Sequence, residues 1–175
     1  MLKTPLRTWR ARRKLARLPA ITIKTTANHY KPFTAPNPDI RAEIYNAVGQ
    51  RVGKTTYAVS PLADRVYVFD INIARDFQRQ GYATAMLWHL AKIYSQPITA
   101  IKELFSASSF WDATRKLAGG GLVVTQPLSV SEMRDEAARW QHLKPLAERL
   151  EKVISERLSI HREPWEMAVG RGLDD

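Results

Sequence analysis

The chain has 175 residues, no cysteine and a formal net charge of +10 at pH 7. A sequence without cysteine offers no disulfide, no thiolate metal site and no thiol nucleophile. It also contains no apolar run that approaches the roughly 20 residues needed to cross a bilayer. We therefore expect one domain with a terminal appendage, in the cytoplasm and without a membrane partner.

The first 19 residues form a basic arm. Nine lysines and arginines but no acidic residue precede Asp39, so the remainder of the chain carries a net charge of only +1. Prolines near both ends predict a helix over residues 4–17. Such a cluster attracts phosphate polyanions, whereas a solvated helix and a membrane-surface helix are the alternatives. The nucleic-acid contacts that we expect are Arg7, Arg10, Arg12, Arg13, Lys14, Arg17 and Lys31.

A proline-rich loop follows a short strand predicted over residues 21–24. Residues 28–38 contain three prolines, which exclude a helix or a central strand there. Within this loop His29 and Tyr30 offer proton transfer and stacking to a base or a sugar. The alternative for His29 is a structural or solvent-exposed role.

Three strands come next and lead into a glycine-containing loop. Alternating patterns predict an antiparallel meander over residues 40–48, 51–59 and 65–73. The loop around Gly81 then opens a long helix that ends near Tyr94. Because the N-terminus of a helix presents free N–H groups, this stretch predicts a binding site for an anionic cofactor.

The rest of the chain alternates between helices and short strands. We predict strands over residues 98–104 and 122–125, with a helix over 108–117 that Ser108 or Ser109 caps. Two further helices are predicted, one over residues 133–143 and one starting at Pro145. The apolar face of the last helix either packs against the domain or forms a homodimer interface.

Asp70 is the most informative single residue. It lies in an apolar strand, where alternation places it on one face with Val66 and Val68. A buried carboxylate is costly unless it is paired or used. Asp70 is therefore either part of a salt bridge or a general base with a pKa tuned by burial. No histidine has the spacing of a metal ligand, so we predict no metal site, although a metal requirement stays open.

The stretch Gln78-Arg-Gln-Gly81-Tyr-Ala83 resembles the acyl-CoA signature of the GNAT acetyltransferases, which has Gln or Arg, two residues, Gly, one residue, and Gly or Ala. The order of the surrounding elements over residues 20–125 resembles that superfamily as well. The resemblance implies an α/β (α+β) fold with a mixed, mostly antiparallel central sheet flanked by helices. It also implies acetyl-CoA or another acyl-CoA as cofactor.

The same resemblance implies site residues. Backbone groups of Ile71 and Ile73 would hold the pantetheine arm, and Asp70 would be the catalytic carboxylate. The asparagine and tyrosine that many members carry on the next helix are not found here, where Ser108 occupies the nearest position. The general acid is then either missing or supplied elsewhere, with Tyr30 as the candidate. The expected catalytic residues are Asp70, His29, Tyr30 and Ser108. Cofactor-binding residues are Ile71, Ile73, Gln78, Arg79, Gln80, Gly81, Tyr82, Ala83 and Thr84.

The basic arm, the His29-Tyr30 loop and the segment from Ser108 to Trp111 together resemble the bacteriophage Mom-type DNA modification proteins. This resemblance implies DNA as partner, in a host bacterial cytoplasm, and modification of the N6 amine of adenine to the carbamoylmethyl form that protects phage DNA from restriction. Simple acetyl transfer would not give that product. The alternatives are a GNAT toxin that acetylates aminoacyl-tRNA and a non-enzymatic nucleic-acid-binding protein.

We predict an arm over residues 1–19, a GNAT-like domain over 20–128 and a helical extension over 129–175.

Overall fold

A five-stranded mixed sheet forms the centre of the computed structural model, which describes residues 3–173. Its strands lie side by side in chain order, antiparallel except for the last pair, which is parallel. The mixed, mostly antiparallel sheet predicted from the sequence is therefore confirmed. The strands are β1 (Thr22–Asn28), β2 (Asp39–Tyr45), β3 (Arg51–Val59), β4 (Val66–Ile73) and β5 (Ile98–Ala100).

Six α-helices flank the sheet, and short 3-10 turns connect several of them. The helices are α1 (Lys3–Ala16), α2 (Tyr82–Tyr94), α3 (Ser108–Arg115), α4 (Glu132–Ala138), α5 (Lys144–Ser159) and α6 (Trp165–Gly170). The 3-10 turns cover Arg75–Phe77, Phe105–Ala107, Ala118–Gly120 and Gln141–Leu143. None of the described helices, which lie within residues 3–173, is long and apolar enough to span a membrane.

The main core lies between one face of the sheet and helices α1 to α3. Ala42 and Ile44 of β2 point into it because alternate side chains of a strand share a face. Met86, Leu87 and Leu90 of α2 meet them at helical spacing and are fully buried. This core fixes the direction of α2, and therefore the position at which its N-terminus meets β4.

The opposite face of the sheet is only partly covered. Trp140, which follows α4, packs on Tyr67 of β4 and on Phe33 of the proline-rich loop. Helix α6 lies against β1, where the carbonyl of Val169 accepts a hydrogen bond from the His29 N–H at 2.9 Å. Between these two contacts the sheet presents exposed polar side chains, which leaves a surface open to a substrate.

The predicted strands over residues 98–104 and 122–125 are shorter than expected. The first ends at Ala100, and Lys102 takes a left-handed backbone conformation with φ of 53° that extended strands do not tolerate. The second forms isolated parallel bridges, in which Val124 pairs with Ile98 and Leu128 with Ile101. The sheet therefore has an irregular sixth edge segment in place of a regular strand.

The basic arm does not project freely. Ala11 and Leu15 of α1 are 4% and 5% exposed and belong to the main core. Helix α1 crosses the turn at Ala118–Gly120, where a Cβ on Gly120 would lie 2.7 Å from Leu15 Cδ1. The glycines of this turn thus allow α1 to approach closely.

Candidate active site

The two parallel strands of the sheet separate part-way along their length. β4 pairs with β5 only through Val66, Val68 and the residue between them, and the Ile101 N–H donates the last bond, to the Val68 carbonyl at 2.9 Å. From residue 69 onward β4 pairs with no strand on that side among residues 3–173. We call this unpaired region, between the end of β4 and the segment that follows β5, the cleft.

A β-bulge at the start of this cleft changes which face of the sheet the following side chains of β4 occupy. Thr56 lies opposite Asp70 while the next residue of β3, Tyr57, lies opposite Val68, so Phe69 is the extra residue. Ile71 and Ile73 consequently join Val66 and Val68 on the core face.

The expected burial of Asp70 is therefore wrong. Its side chain is exposed on the open face, and within residues 3–173 it makes no ion pair and no side-chain hydrogen bond. The expected salt bridge is absent from this part of the chain as well. A catalytic role for Asp70 stays a prediction, now for a carboxylate at the edge of a cleft.

The loop between β4 and α2 is held in shape by its own glutamines. Gln78 Nε2 donates to the Ile73 carbonyl at 3.0 Å, and Gln80 Nε2 donates to the Asp76 carbonyl at 2.9 Å. Arg79 and Gly81 take left-handed conformations with φ of 60° and 91°. Alternation of backbone conformation in this way turns successive N–H groups toward one side, which makes a concave site for anions.

Free backbone groups at the loop suit a pyrophosphate and an extended thioester arm. The first donor of α2 to bond within the helix is Ala85, which binds the Gly81 carbonyl at 2.8 Å, and no side chain caps the helix. The N–H groups of residues 82–84 are therefore open to a ligand. On β4 the Ala74 N–H faces β3, so alternation directs the Ile73 N–H toward the cleft, while the Ile73 carbonyl already accepts the hydrogen bond from Gln78.

A comparison with protein families matches residues 14–111 to the acetyltransferase (GNAT) family. This match covers more than half of the chain. The chain belongs to the GNAT family. A comparison with curated proteins finds no match. The GNAT assignment indicates acyl transfer in general, with acetyl-CoA or another acyl-CoA as the typical cofactor, and it agrees with the open N–H groups of the loop.

Next to the cleft of this GNAT domain, a row of polar side chains crosses the open face of the sheet. Thr26, Arg41, Thr56 and Asp70 lie directly opposite one another on β1, β2, β3 and β4. Since side chains in register on neighbouring strands share a face, all four point away from the core. The row ends at Asp70, beside the bulge where the cleft begins.

A groove of about 280 Å³ continues this row beneath α6. Asp39, Arg41 and Thr56 line its floor, while Trp165 and Glu166 form its wall. Burial raises the pKa of the Asp39 carboxyl, whose Oδ1 atom is enclosed and has no hydrogen-bond partner among residues 3–173. The sequence analysis missed Asp39, because no local pattern indicates that α6 covers the start of β2.

His29 and Tyr30 lie at the end of the sheet opposite to the GNAT loop. His29 Nδ1 donates to the Val169 carbonyl at 3.0 Å, and its ring packs against Gly172. Tyr30 makes an edge contact with the Trp165 ring at 5.0 Å, so it adjoins the wall of the groove. The catalytic roles expected of both residues stay predictions.

Ser108 and Ser109 do not cap α3, and that expectation is wrong. The N-cap is Ala107, without any side-chain hydrogen bond, because a 3-10 turn feeds directly into the helix. Ser108 is the first helical residue, and its catalytic role stays a prediction. Arg115 of α3 binds Glu103 at 2.5 Å and so fixes the segment that forms the far wall of the cleft.

The expected nucleic-acid contacts divide into paired and unpaired cations. Lys31 forms an ion pair with Glu151 at 3.0 Å, and the hydrogen bond that its ammonium group donates to Glu151 raises the pKa of that group. By contrast, the arginines and Lys14 of α1 have no acidic partner within residues 3–173. In that same part of the chain no cluster of three His, Asp or Glu side chains could hold a metal ion.

Proposed function

We propose that this GNAT protein transfers an acyl group from acyl-CoA to an amine of nucleic acid, with the N6 amine of adenine in DNA as the acceptor. The observation that carries the proposal is the concentration of unneutralised cations on α1, next to the cofactor loop of an acyltransferase domain. A patch of this kind favours a phosphate polyanion over a small neutral amine.

Acyl-CoA supplies the acyl group as a reactive thioester. The chain itself supplies a carboxylate at the place where cleft and open face meet. Asp70 is free of ion pairs among residues 3–173 and stands at the bulge, where it can accept the proton that the amine loses as its nitrogen bonds to the acyl carbon. Because the thiol leaves as the carbon–sulfur bond breaks, no oxidant or reductant is needed.

An exposed apolar side chain lies in the segment after β5, which borders the cleft. Phe105 begins the 3-10 turn before α3 and is 94% exposed. An exposed aromatic ring costs solvation unless a partner covers it, and a base taken out of its duplex stacks on such rings. This placement supports a base as the acceptor.

Mass spectrometry of nucleosides tests the proposal. DNA and tRNA from cells that express the protein are digested and compared with material from cells that express Asp70→Asn. We expect a modified deoxyadenosine with the wild-type protein, and its mass separates an acyl adduct from a carbamoylmethyl adduct. Loss of the general base lowers the yield per unit time by about 10²- to 10⁴-fold.

Asn72→Ala is the matched control, because Asn72 lies two residues further along the same exposed face of β4. This variant should modify DNA as the wild type does. The proposal fails if DNA from cells with folded wild-type protein contains only unmodified deoxyadenosine. Acylated aminoacyl-tRNA in place of modified DNA would identify the toxin activity instead.

A further inference from the structure

Helix α1 forms one wall of a groove at the cofactor loop. A Cβ on Gly81 would lie 3.2 Å from Pro19 Cδ and 3.4 Å from Leu18 Cδ2, so the end of the arm touches the loop itself. Between helix and loop lies a groove of about 520 Å³. Its lining includes Arg10, Arg13 and Lys14 of α1, Arg17 directly after the helix, and Gln80 and Gly81 of the loop.

These four cations form one stripe along the helix, which we call the basic stripe. They lie three and four residues apart, the spacing that brings side chains together on a helix surface. Like charges at that spacing repel and destabilise the helix. The negative end of the helix dipole stabilises Arg13 and Lys14 in the last turn, but this effect does not extend to Arg10, one turn earlier.

No acidic side chain of residues 3–173 neutralises the stripe. The helix cannot relieve the repulsion by moving away, because Ala11 and Leu15 anchor its other side in the core. Gly119 and Gly120 hold the backbones close as well, with a Cβ on Gly119 lying 3.1 Å from Thr8 Oγ1. A fixed, uncompensated row of cations facing a groove favours an anionic ligand in that groove.

Trp9 adds an aromatic surface at the same groove. Its ring is 56% exposed and lines the groove, and the guanidinium of Arg13 lies 5.1 Å from the ring centroid. A purine stacks on an exposed indole. The groove thus combines a stacking surface for a base with several cations for phosphates.

We propose that the basic stripe binds the 3′-phosphate of the adenosine end of CoA, with the adenine on Trp9. Helix α1 is then a cofactor-binding element that selects CoA over forms lacking this phosphate. This inference rests on the proposed use of acyl-CoA at the loop. The loop N–H groups take the pyrophosphate, and the groove that begins at Gln80 and Gly81 leads from there to the cations of the stripe.

Calorimetric titration with CoA and with 3′-dephospho-CoA tests the inference. Since hydrogen bonds to charged groups are roughly twice as strong as neutral ones, we expect wild-type protein to bind CoA about 10- to 100-fold more tightly than 3′-dephospho-CoA. The double variant Arg13→Gln/Arg17→Gln should lose that difference and bind both ligands with the affinity of the wild type for 3′-dephospho-CoA.

Arg12→Gln is the matched control, because it removes the same charge from the same helix at a position outside the groove. It should keep the preference for CoA while binding nucleic acid less tightly. Equal affinity of the wild type for both ligands, or an equal loss in Arg12→Gln, overturns the inference and leaves the proposed function standing. Absence of binding by either ligand overturns both.

Discussion

Helix α1 and the segment around α4 are both rich in charge, but they differ in whether their charged side chains form ion pairs. At α4, Arg139 binds both Asp64 and Glu136, Arg65 lies 3.4 Å from Glu136, and the Tyr67 hydroxyl donates to Glu136 at 2.5 Å. The arginines of α1 and Lys14 have no acidic partner among residues 3–173. The first region neutralises its charges internally, whereas the second leaves them for a ligand.

This contrast separates charges that are paired within the chain from charges that stay unpaired among residues 3–173. Burial, together with the hydrogen bond to Glu136, raises the pKa of the Tyr67 hydroxyl, so it stays a donor at neutral pH. The α4 network therefore ties the C-terminal segment to β4. The unpaired cations of α1 contribute nothing comparable to packing, and Ala11 and Leu15 hold the helix in place instead.

Removal of Trp140 has the largest expected effect. Its ring is 4% exposed and packs on Tyr67 and Phe33, so Trp140→Ala should lower the free energy of unfolding by about 3–5 kcal/mol. Urea denaturation measures this change. Trp165→Ala removes a ring that is 48% exposed and should cost far less. If both variants lost the same free energy of unfolding, the claim that the aromatic packing around α4 has a special structural role would be contradicted.

Adding a side chain to the glycine turn that α1 crosses has a smaller expected effect on the free energy of unfolding. Gly120→Val places a side chain 2.7 Å from Leu15 Cδ1 and 3.1 Å from the Ala11 carbonyl carbon, and overpacking of this kind costs about 1–3 kcal/mol. We expect α1 to detach, with faster tryptic cleavage after its arginines and weaker CoA binding. Ala118→Val, at an exposed position of the same turn, is the control. Unchanged cleavage in Gly120→Val would show that the docking is not tight.

The pH dependence of stability gives the smallest effect. Burial alone would raise the pKa of the Asp64 carboxyl, but the hydrogen bonds from Arg139 and Ser60, together with the charges of Arg139 and Arg65, outweigh it and hold the pKa below its usual range. The ion pair therefore stabilises the fold above the unfolded pKa of about 3.9, and this contribution disappears as the pH falls through the lower folded value. Unfolding experiments between pH 5 and 2, as rough limits, should show a shallower loss for Asp64→Asn than for the wild type. Identical pH profiles would rule out the network as a source of stability.

The sequence was sufficient for much of the fold, because the meander and the long helix follow from local periodicity. The range predicted for the second meander strand, 51–59, matches β3. The GNAT loop was predicted from Gln78, Gly81 and their setting between strand and helix. Such features depend on neighbours in the chain, which a sequence displays directly.

The errors arose where distant parts of the chain meet. The bulge at Phe69 depends on the register between β4 and β3. Strict alternation along β4, without the bulge, places Asp70 on the core face with Val66 and Val68 instead of on the open face. The docking of α1 depends on glycines about 100 residues away. The groove around Asp39 exists only because α6 returns to β1. These contacts set the active-site face, and no local pattern encodes them.

The most direct test of the account is the release of free thiol from acetyl-CoA in the presence of single-stranded oligonucleotides. One oligonucleotide contains adenine, and a second of equal length contains only pyrimidines. The account predicts release that depends on adenine and falls in Asp70→Asn, while Asn72→Ala behaves as the wild type. Equal release with both oligonucleotides, or none with either, would contradict it.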